Sequence, residues 1–250
     1  MQLFGTTRSR VARDHALICP DSHVRSPLPG WTKTQCVILI APPMGARFMQ
    51  YLALMEPGAT SAEVPSGIER VIYVLEGSAK VKSPKEKDKP LKAGGFAFLP
   101  AGSEYTIEAT TATRLNVFDK PFTPRTGVAA PKAIIGHEKD VDGMPFMGDD
   151  AARLQVLLPD QPPYDLAVNV FRFQPGAALP LVEIHVMEHG LLMLEGQGVY
   201  RLGDDWYPVQ AGDVIWMKSF CPQWFVAMGK TPAAYLYYKD VNRDPLGAMA

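Results

Sequence analysis

The chain has 250 residues, 47% of them apolar and 20% charged, with a formal net charge of −1. That is enough apolar material for a packed core, in one large β domain or two of ordinary size. The near-neutral, interspersed charge argues against nucleic acid or a polybasic membrane contact as partner, and no run approaches the ~20 apolar residues that span a bilayer.

The start of the chain carries Arg8, Arg10 and Arg13 with no apolar h-region behind them, which argues against a secretory signal. The predicted location is cytoplasmic. A basic, acid-poor start leaves an organelle transit peptide as the alternative. Cys19, Cys36 and Cys221 are far apart and form no CxxC pair, so they read as small buried apolar residues in a reducing compartment. His15, His23 and His137 fall in turn-rich segments and read as surface residues.

Along the rest of the chain, 21 Gly and 23 Pro punctuate short runs rich in β-branched and aromatic residues. Cys36-Val37-Ile38-Leu39-Ile40, Val71-Ile72-Tyr73-Val74-Leu75 and Tyr235-Leu236-Tyr237-Tyr238 are examples. Such runs predict an all-β sandwich or barrel with few, short helices. From about Lys120 to Leu158 the Pro, Gly and acidic content predicts a linker, and strand-like content resumes at Leu166-Ala167-Val168-Asn169-Val170-Phe171.

The chain also repeats itself. Val71-Ile72-Tyr73-Val74-Leu75-Glu76-Gly77 matches Gly190-Leu191-Leu192-Met193-Leu194-Glu195-Gly196. Downstream, Leu91-Lys92-Ala93-Gly94-Gly95 answers Pro208-Val209-Gln210-Ala211-Gly212. Upstream, Met55-Glu56-Pro57-Gly58 answers Phe173-Gln174-Pro175-Gly176. Three markers in one order indicate a duplicated domain, with residues 1–125 as the first copy and 126–250 as the second.

Both copies resemble cupin barrels, which implies a bicupin: two tandem double-stranded β-helix (jelly-roll) barrels. In the second copy the cupin pattern stands as Glu183-x-His185, then His189, then Gly196, and Gln223 occupies the place of the usual downstream His. Glu183 and His185 are two apart and share a side of an extended strand, His189 joins from the next strand, and Gln223 comes from across the barrel. Two imidazoles, a carboxylate and an amide oxygen form a mixed N/O set suited to Mn²⁺ or Fe²⁺, with nickel and zinc as competitors. Isolated His residues are usually just packed, but two of the five His within five residues, beside a carboxylate, call for a compensating cation. Glu188 and Glu195 read as solvated. In the first copy the corresponding positions are Val64, Ser66, Arg70 and Tyr105, which are not ligands, so that barrel is expected to lack a metal, with Glu69 and Arg70 on a salt-bridged rim. At the end of the second copy, alternation puts Tyr235, Tyr237 and Lys239 on one face, where Lys239 would neutralise a substrate carboxylate or carry a proton. Its plainer reading is a lysine reaching solvent at a strand end.

From about Leu17 to Asp244 the chain resembles the (S)-ureidoglycine aminohydrolase family of purine (allantoin) breakdown. The stretches that carry the resemblance are Glu183-Ile184-His185-Val186-Met187-Glu188-His189-Gly190, Gly196-Gln197-Gly198-Val199-Tyr200, and Tyr235 through Asp244 with its Lys-Asp-x-Asn-Arg-Asp ending. The resemblance implies Mn²⁺ held by Glu183, His185, His189 and Gln223, and substrate contacts from Glu183, Tyr200, Tyr235 and Lys239. It implies hydrolytic loss of ammonia from (S)-ureidoglycine to give (S)-ureidoglycolate, with Glu183 as the expected base and Lys239 as its catalytic partner. The alternative is an Fe(II) cupin dioxygenase, or another metal cupin acting on a small carboxylate. The expected partner is a small ureide, and the edge strands and apolar outer faces predict a homo-oligomer.

Overall fold

The structure, a computed structural model, describes residues 6–244. The chain opens with β1 (Arg10–Val11) and β2 (His15–Ile18). It continues through β3 (Thr34–Ile40), β4 (Met49–Met55), β5 (Ile68–Glu76), β6 (Ser78–Ser83), β7 (Glu86–Lys92), β8 (Gly95–Leu99), β9 (Thr106–Ala109), β10 (Thr113–Pro121) and β11 (Ile134–His137). The second series is β12 (Met144–Phe146), β13 (Asp149–Val156), β14 (Leu166–Phe173), β15 (His189–Glu195), β16 (Gln197–Leu202), β17 (Asp205–Gln210), β18 (Val214–Met217), β19 (Gln223–Met228) and β20 (Ala233–Asp240). Among the described residues the helical elements are 3-10 turns of three residues each.

Each copy of the repeat forms a large sheet facing a small one. The first has the order β11-β8-β5-β10-β4-β3 with β7-β6-β9 opposite; the second has β1-β2-β18-β15-β20-β14-β13-β12 with β17-β16-β19 opposite. These are jelly-roll sandwiches whose sheets stay open, so "barrel" describes the wrapping and not a closed hydrogen-bond ring. Binary patterning produces the two layers: β16 alternates buried and less buried residues, sending Gly198, Tyr200 and Leu202 inward. The paired Glu-Gly markers are turns. Gly77 and Gly196 have φ of 79° and 72°, and a Cβ on either would collide with a backbone oxygen, of Ala112 and Pro232 respectively. Only glycine fits there.

Contacts divide the chain into two compact units that are not consecutive halves, unlike a cut at 125/126. One unit holds the residues up to His23, Gly143–Gln155 and Asn169–Lys239; the other holds Val24–Asp142, Val156–Val168 and the chain from Asp240. Strand pairing is the reason. β2 adds to β18, with Met217 opposite His15, while β11 adds to β8, with Ile134 opposite Phe98. Each added strand saturates backbone groups that an edge would leave open.

Two surface assignments need correction for the same reason. His15 is 2% exposed on β2, bonded through Nδ1 to Asp14 (2.9 Å) and through Nε2 to the Tyr207 hydroxyl (2.8 Å). The stretch from Lys120 to Leu158 is not a plain linker, since it contains β11, β12 and β13. Its Pro and Gly mark turns between short strands; Met147 and Gly148, at φ of 50° and 87°, make the two-residue turn of a hairpin.

Candidate active site

The ligand positions converge in the second sandwich. Glu183 lies in an extended segment outside any regular strand, held by a single bridge to Gln223: Glu183 N–H donates to Gln223 O (2.9 Å) and Gln223 N–H donates back (3.0 Å). His185 Nε2 is 3.9 Å from Glu183 Oε2, and the Gln223 side-chain amide is 2.9 Å from the same nitrogen. His189, at the start of β15, stacks on His185 with ring centroids 4.8 Å apart. The local sequence explains the bend: His185 O accepts from Phe220 N–H (2.7 Å), which pins the loop before β15 to the loop after β18.

These side chains border a cavity of about 250 Å³. Tyr200, Tyr235, Tyr237 and Lys239 supply further polar lining; Phe146, Leu154, Phe171, Met187 and Leu191 supply an apolar wall. Along β15 and β20 the cross-strand pairs are His189 with Lys239, Leu191 with Tyr237, and Met193 with Tyr235. Lys239 therefore stands beside the histidine level, and the tyrosines descend inward from it. It is partly buried and lines the cavity, so it is not simply a strand-end lysine in solvent. Tyr235 and Tyr200 are buried, with the Tyr235 hydroxyl donating to Tyr200; burial holds both phenols far above their usual range, so both stay protonated.

The donor set fits a divalent metal. His189 Nε2 is buried without a hydrogen-bond partner, a costly arrangement unless something else occupies the lone pair. Burial first, then His185 and Lys239, push His189 well below its usual range, which favours the neutral imidazole, the form able to ligate. Turning the Gln223 amide about its terminal bond presents oxygen in place of nitrogen. A second grouping, Asp14, His15 and Cys221, brings ligand atoms within 4.8 Å of one another. There both His15 nitrogens are bonded to protein, and burial pushes the Cys221 thiol up to about 12. His15 there joins Asp14 to Tyr207 of β17.

Glu188 is not solvated: it is 0% exposed and accepts a hydrogen bond from Trp216 Nε1 (2.7 Å). Glu195, at the β15–β16 turn, is exposed and pairs with Arg172 (2.6 Å). In the first sandwich the expected rim pair is internal. Arg70 is 4% exposed and forms a two-pronged ion pair with Asp119 (2.7 and 2.9 Å). Glu69 is 0% exposed, on the opposite side of the same strand.

The cupin domain family matches residues 169–238, and the EutQ-like cupin domain family matches 44–122. A protein from Oryza sativa subsp. japonica named "Probable (S)-ureidoglycine aminohydrolase" is 47% identical over 97% of this chain and 78% of its own length. The (S)-ureidoglycine aminohydrolase of Arabidopsis thaliana is 45% identical over 97% of this chain and 80% of its own length. The chain belongs to the (S)-ureidoglycine aminohydrolase family. A solved structure from Pseudomonas aeruginosa, titled a putative glyoxylate induced protein, superposes with a TM-score of 0.87 at 33% identity, covering 96% of this chain and 93% of that one.

Within this aminohydrolase-family chain, the Lys-Asp-x-Asn-Arg-Asp ending divides its work. Lys239 faces the cavity. Asn242, in the left-handed region at φ 58°, donates to the Gln161 and Tyr164 carbonyls (3.1 and 3.0 Å), and Arg243 donates to the Thr123 carbonyl (2.7 Å). Those two residues tie backbone together. Sequence reasoning missed Phe146 and Leu154, since nothing in a Pro-, Gly- and acid-rich stretch signalled a hairpin reaching the cavity.

Proposed function

We propose that this chain hydrolyses (S)-ureidoglycine to (S)-ureidoglycolate and ammonia, with Mn²⁺ at Glu183, His185, His189 and Gln223. The observation that carries the reading is the ligand cluster facing Lys239 in one cavity, in a chain 45% identical to a protein named for that reaction. The substrate carries an amine, a ureido group and a carboxylate on one carbon. Water adds hydroxyl to that carbon, the C–N bond to the amine breaks, and the balance is one water consumed and one ammonia released.

The metal, when bound, supplies Lewis-acid polarisation and a fixed template for one face of the stereocentre. Lys239 neutralises the substrate carboxylate, and its ammonium is placed to pass a proton toward the leaving nitrogen. Glu183, half-buried at the cavity edge, takes the proton from the attacking water as base, and it would also be one of the residues that hold the metal. Tyr235 spends its hydrogen on Tyr200, which leaves the Tyr200 hydroxyl to hold a substrate oxygen as donor and the Tyr235 oxygen to accept from the substrate's N–H groups. The first sandwich is structural in this reading. Self-association and a cytoplasmic location belong to the same proposal. Exposed Leu181, Ile184 and Phe220 supply apolar surface for self-association, which sedimentation of the purified chain checks. Among the described residues no helix is long and apolar enough to cross a membrane.

The test is ammonia release from freshly generated (S)-ureidoglycine by metal-stripped protein, with and without Mn²⁺, under nitrogen. Mn²⁺-dependent release without oxygen is the expected result and rejects a dioxygenase. Release no faster than the spontaneous background defeats the proposal. Glu183→Gln that keeps both metal and near-normal turnover removes Glu183 as the base.

A further inference from the structure

A tyrosine below the ligand level has a hydroxyl with no role in the mechanism above. Tyr237 lines the cavity, is 8% exposed, and stacks on His189 with centroids 5.6 Å apart and planes 19° apart. Its neighbour on the adjoining strand β14 is Asn169. The repeat locates the pair: in the first sandwich Val117 is the cross-strand partner of Tyr51, and those positions correspond to Tyr237 and Asn169. Directly opposed residues bring their side chains together on one face. Asn169 is 3% exposed, and its Oδ1 has no hydrogen-bond partner. A buried carbonyl left unpaired is destabilising, and an amide that accepts this has its nitrogen committed elsewhere. The nitrogen side is engaged by the Tyr237 hydroxyl. An Asn169 N–H that donates to the phenol oxygen leaves the phenol hydrogen for another acceptor.

We propose that Tyr237 is a substrate-binding donor to the ureido carbonyl oxygen, and that Asn169 is the positioning residue that aims it. This rests on the aminohydrolase reading. The level of each group decides which part of the substrate it meets. Lys239 stands opposite His189, and Tyr237 stands opposite Leu191, two residues further in. Two residues along a strand span about 7 Å, comparable to the length of a small ureido acid. With the carboxylate at Lys239, the neutral ureido group reaches the Tyr237 level. A neutral carbonyl calls for an uncharged hydroxyl donor there, and Tyr237 lines the cavity at that level.

Tyr237→Phe keeps the ring stacked on His189 and removes only the hydroxyl. It is expected to raise KM, and the Kd of the product (S)-ureidoglycolate by calorimetry, roughly tenfold, with metal content and unfolding midpoint unchanged. Asn169→Leu is expected to do the same in the parent protein and nothing further in the Tyr237→Phe background. If Asn169→Leu does not fold, Asn169→Asp replaces it, since a carboxylate captures the phenol hydrogen and gives the same loss. Parent-like KM and Kd in Tyr237→Phe overturn the assignment. An Asn169 effect of equal size with and without the hydroxyl overturns the positioning role. Parent protein that releases no ammonia from ureidoglycine overturns the function reading and this inference with it, whereas active parent and unaffected variants overturn this inference alone.

Discussion

The two sandwiches share a strand order and differ in what stands at matching places inside. Opposite each other on β5 and β10 are Arg70 and Asp119; at the matching place on β15 and β20 are His189 and Lys239. The first pair is a closed ion pair, with Tyr51 donating to Asp119 (3.0 Å) and the guanidinium over the Trp31 ring at 5.4 Å. The second pair is two nitrogen bases that have no attraction for each other and face a cavity. Below this level the first sandwich has Val81, Leu115 and Val117, all packed in its core, where the second has Tyr200, Tyr235 and Tyr237. A guanidinium thus occupies the place of the proposed metal, and aliphatic side chains fill what is a cavity in the second sandwich. One fold serves as a packed body when its interior charges cancel, and as a site when the compensating charge must come from outside.

The largest effect should come from carrying the first pair into the second sandwich. His189→Arg with Lys239→Asp is expected to abolish metal binding and lower turnover by at least roughly 10³-fold while the fold persists, because an internal ion pair replaces ligand and anchor. Metal content per chain and far-UV circular dichroism check it; retained metal breaks the comparison. Next, Arg70→Ala leaves Asp119 buried without its cation and should destabilise the chain by about 3–5 kcal/mol in denaturant unfolding, with the second sandwich's site chemistry unchanged. A shift below about 1 kcal/mol, the range of an exposed pair, would deny that the pair is buried.

A smaller change separates the tyrosines from their aliphatic counterparts. Tyr200→Phe, which moves the second interior toward the first, should lower kcat/KM roughly tenfold through the loss of one hydrogen bond, with stability near the parent. The smallest effect concerns Glu69, behind Arg70. Burial first, and then Asp165, hold its carboxyl far above the usual value near 4.5, while Asp165, which burial alone would raise, is held below its usual range by the Glu69 carboxyl, Lys120 (2.5 Å) and Thr123 N–H (2.7 Å). Glu69 therefore stays protonated in the folded chain at neutral pH. A raised folded pKa contributes stability that is complete below 4.5 and is lost as pH rises toward the folded value. Glu69→Gln should flatten that decline, read from unfolding midpoints between pH 5 and 9. An unchanged slope would show that Glu69 is ionised.

The matching markers at Glu76-Gly77 and Glu195-Gly196 were legible in the sequence because a backbone with positive φ against a crossing chain admits only glycine. That His185, His189 and Lys239 line one cavity was legible too: the two His are close in the chain, and the Lys239 side follows from alternation. These are local rules, in which a residue's neighbours in sequence settle its environment. Other features were decided elsewhere. Glu188 is buried because Trp216, from a strand far along the chain, donates to it; Phe146 reaches the cavity because its hairpin packs on Phe171, with centroids 4.9 Å apart; and His15 is a core residue because β2 completes a sheet begun some two hundred residues later. The duplication, the β class and the side chains proposed as donors can be read from the chain alone, since period, turn chemistry and side-chain type are properties of short stretches. Only the tertiary structure decided which charges are buried and what covers them, because burial is settled by partners that the chain brings together from a distance.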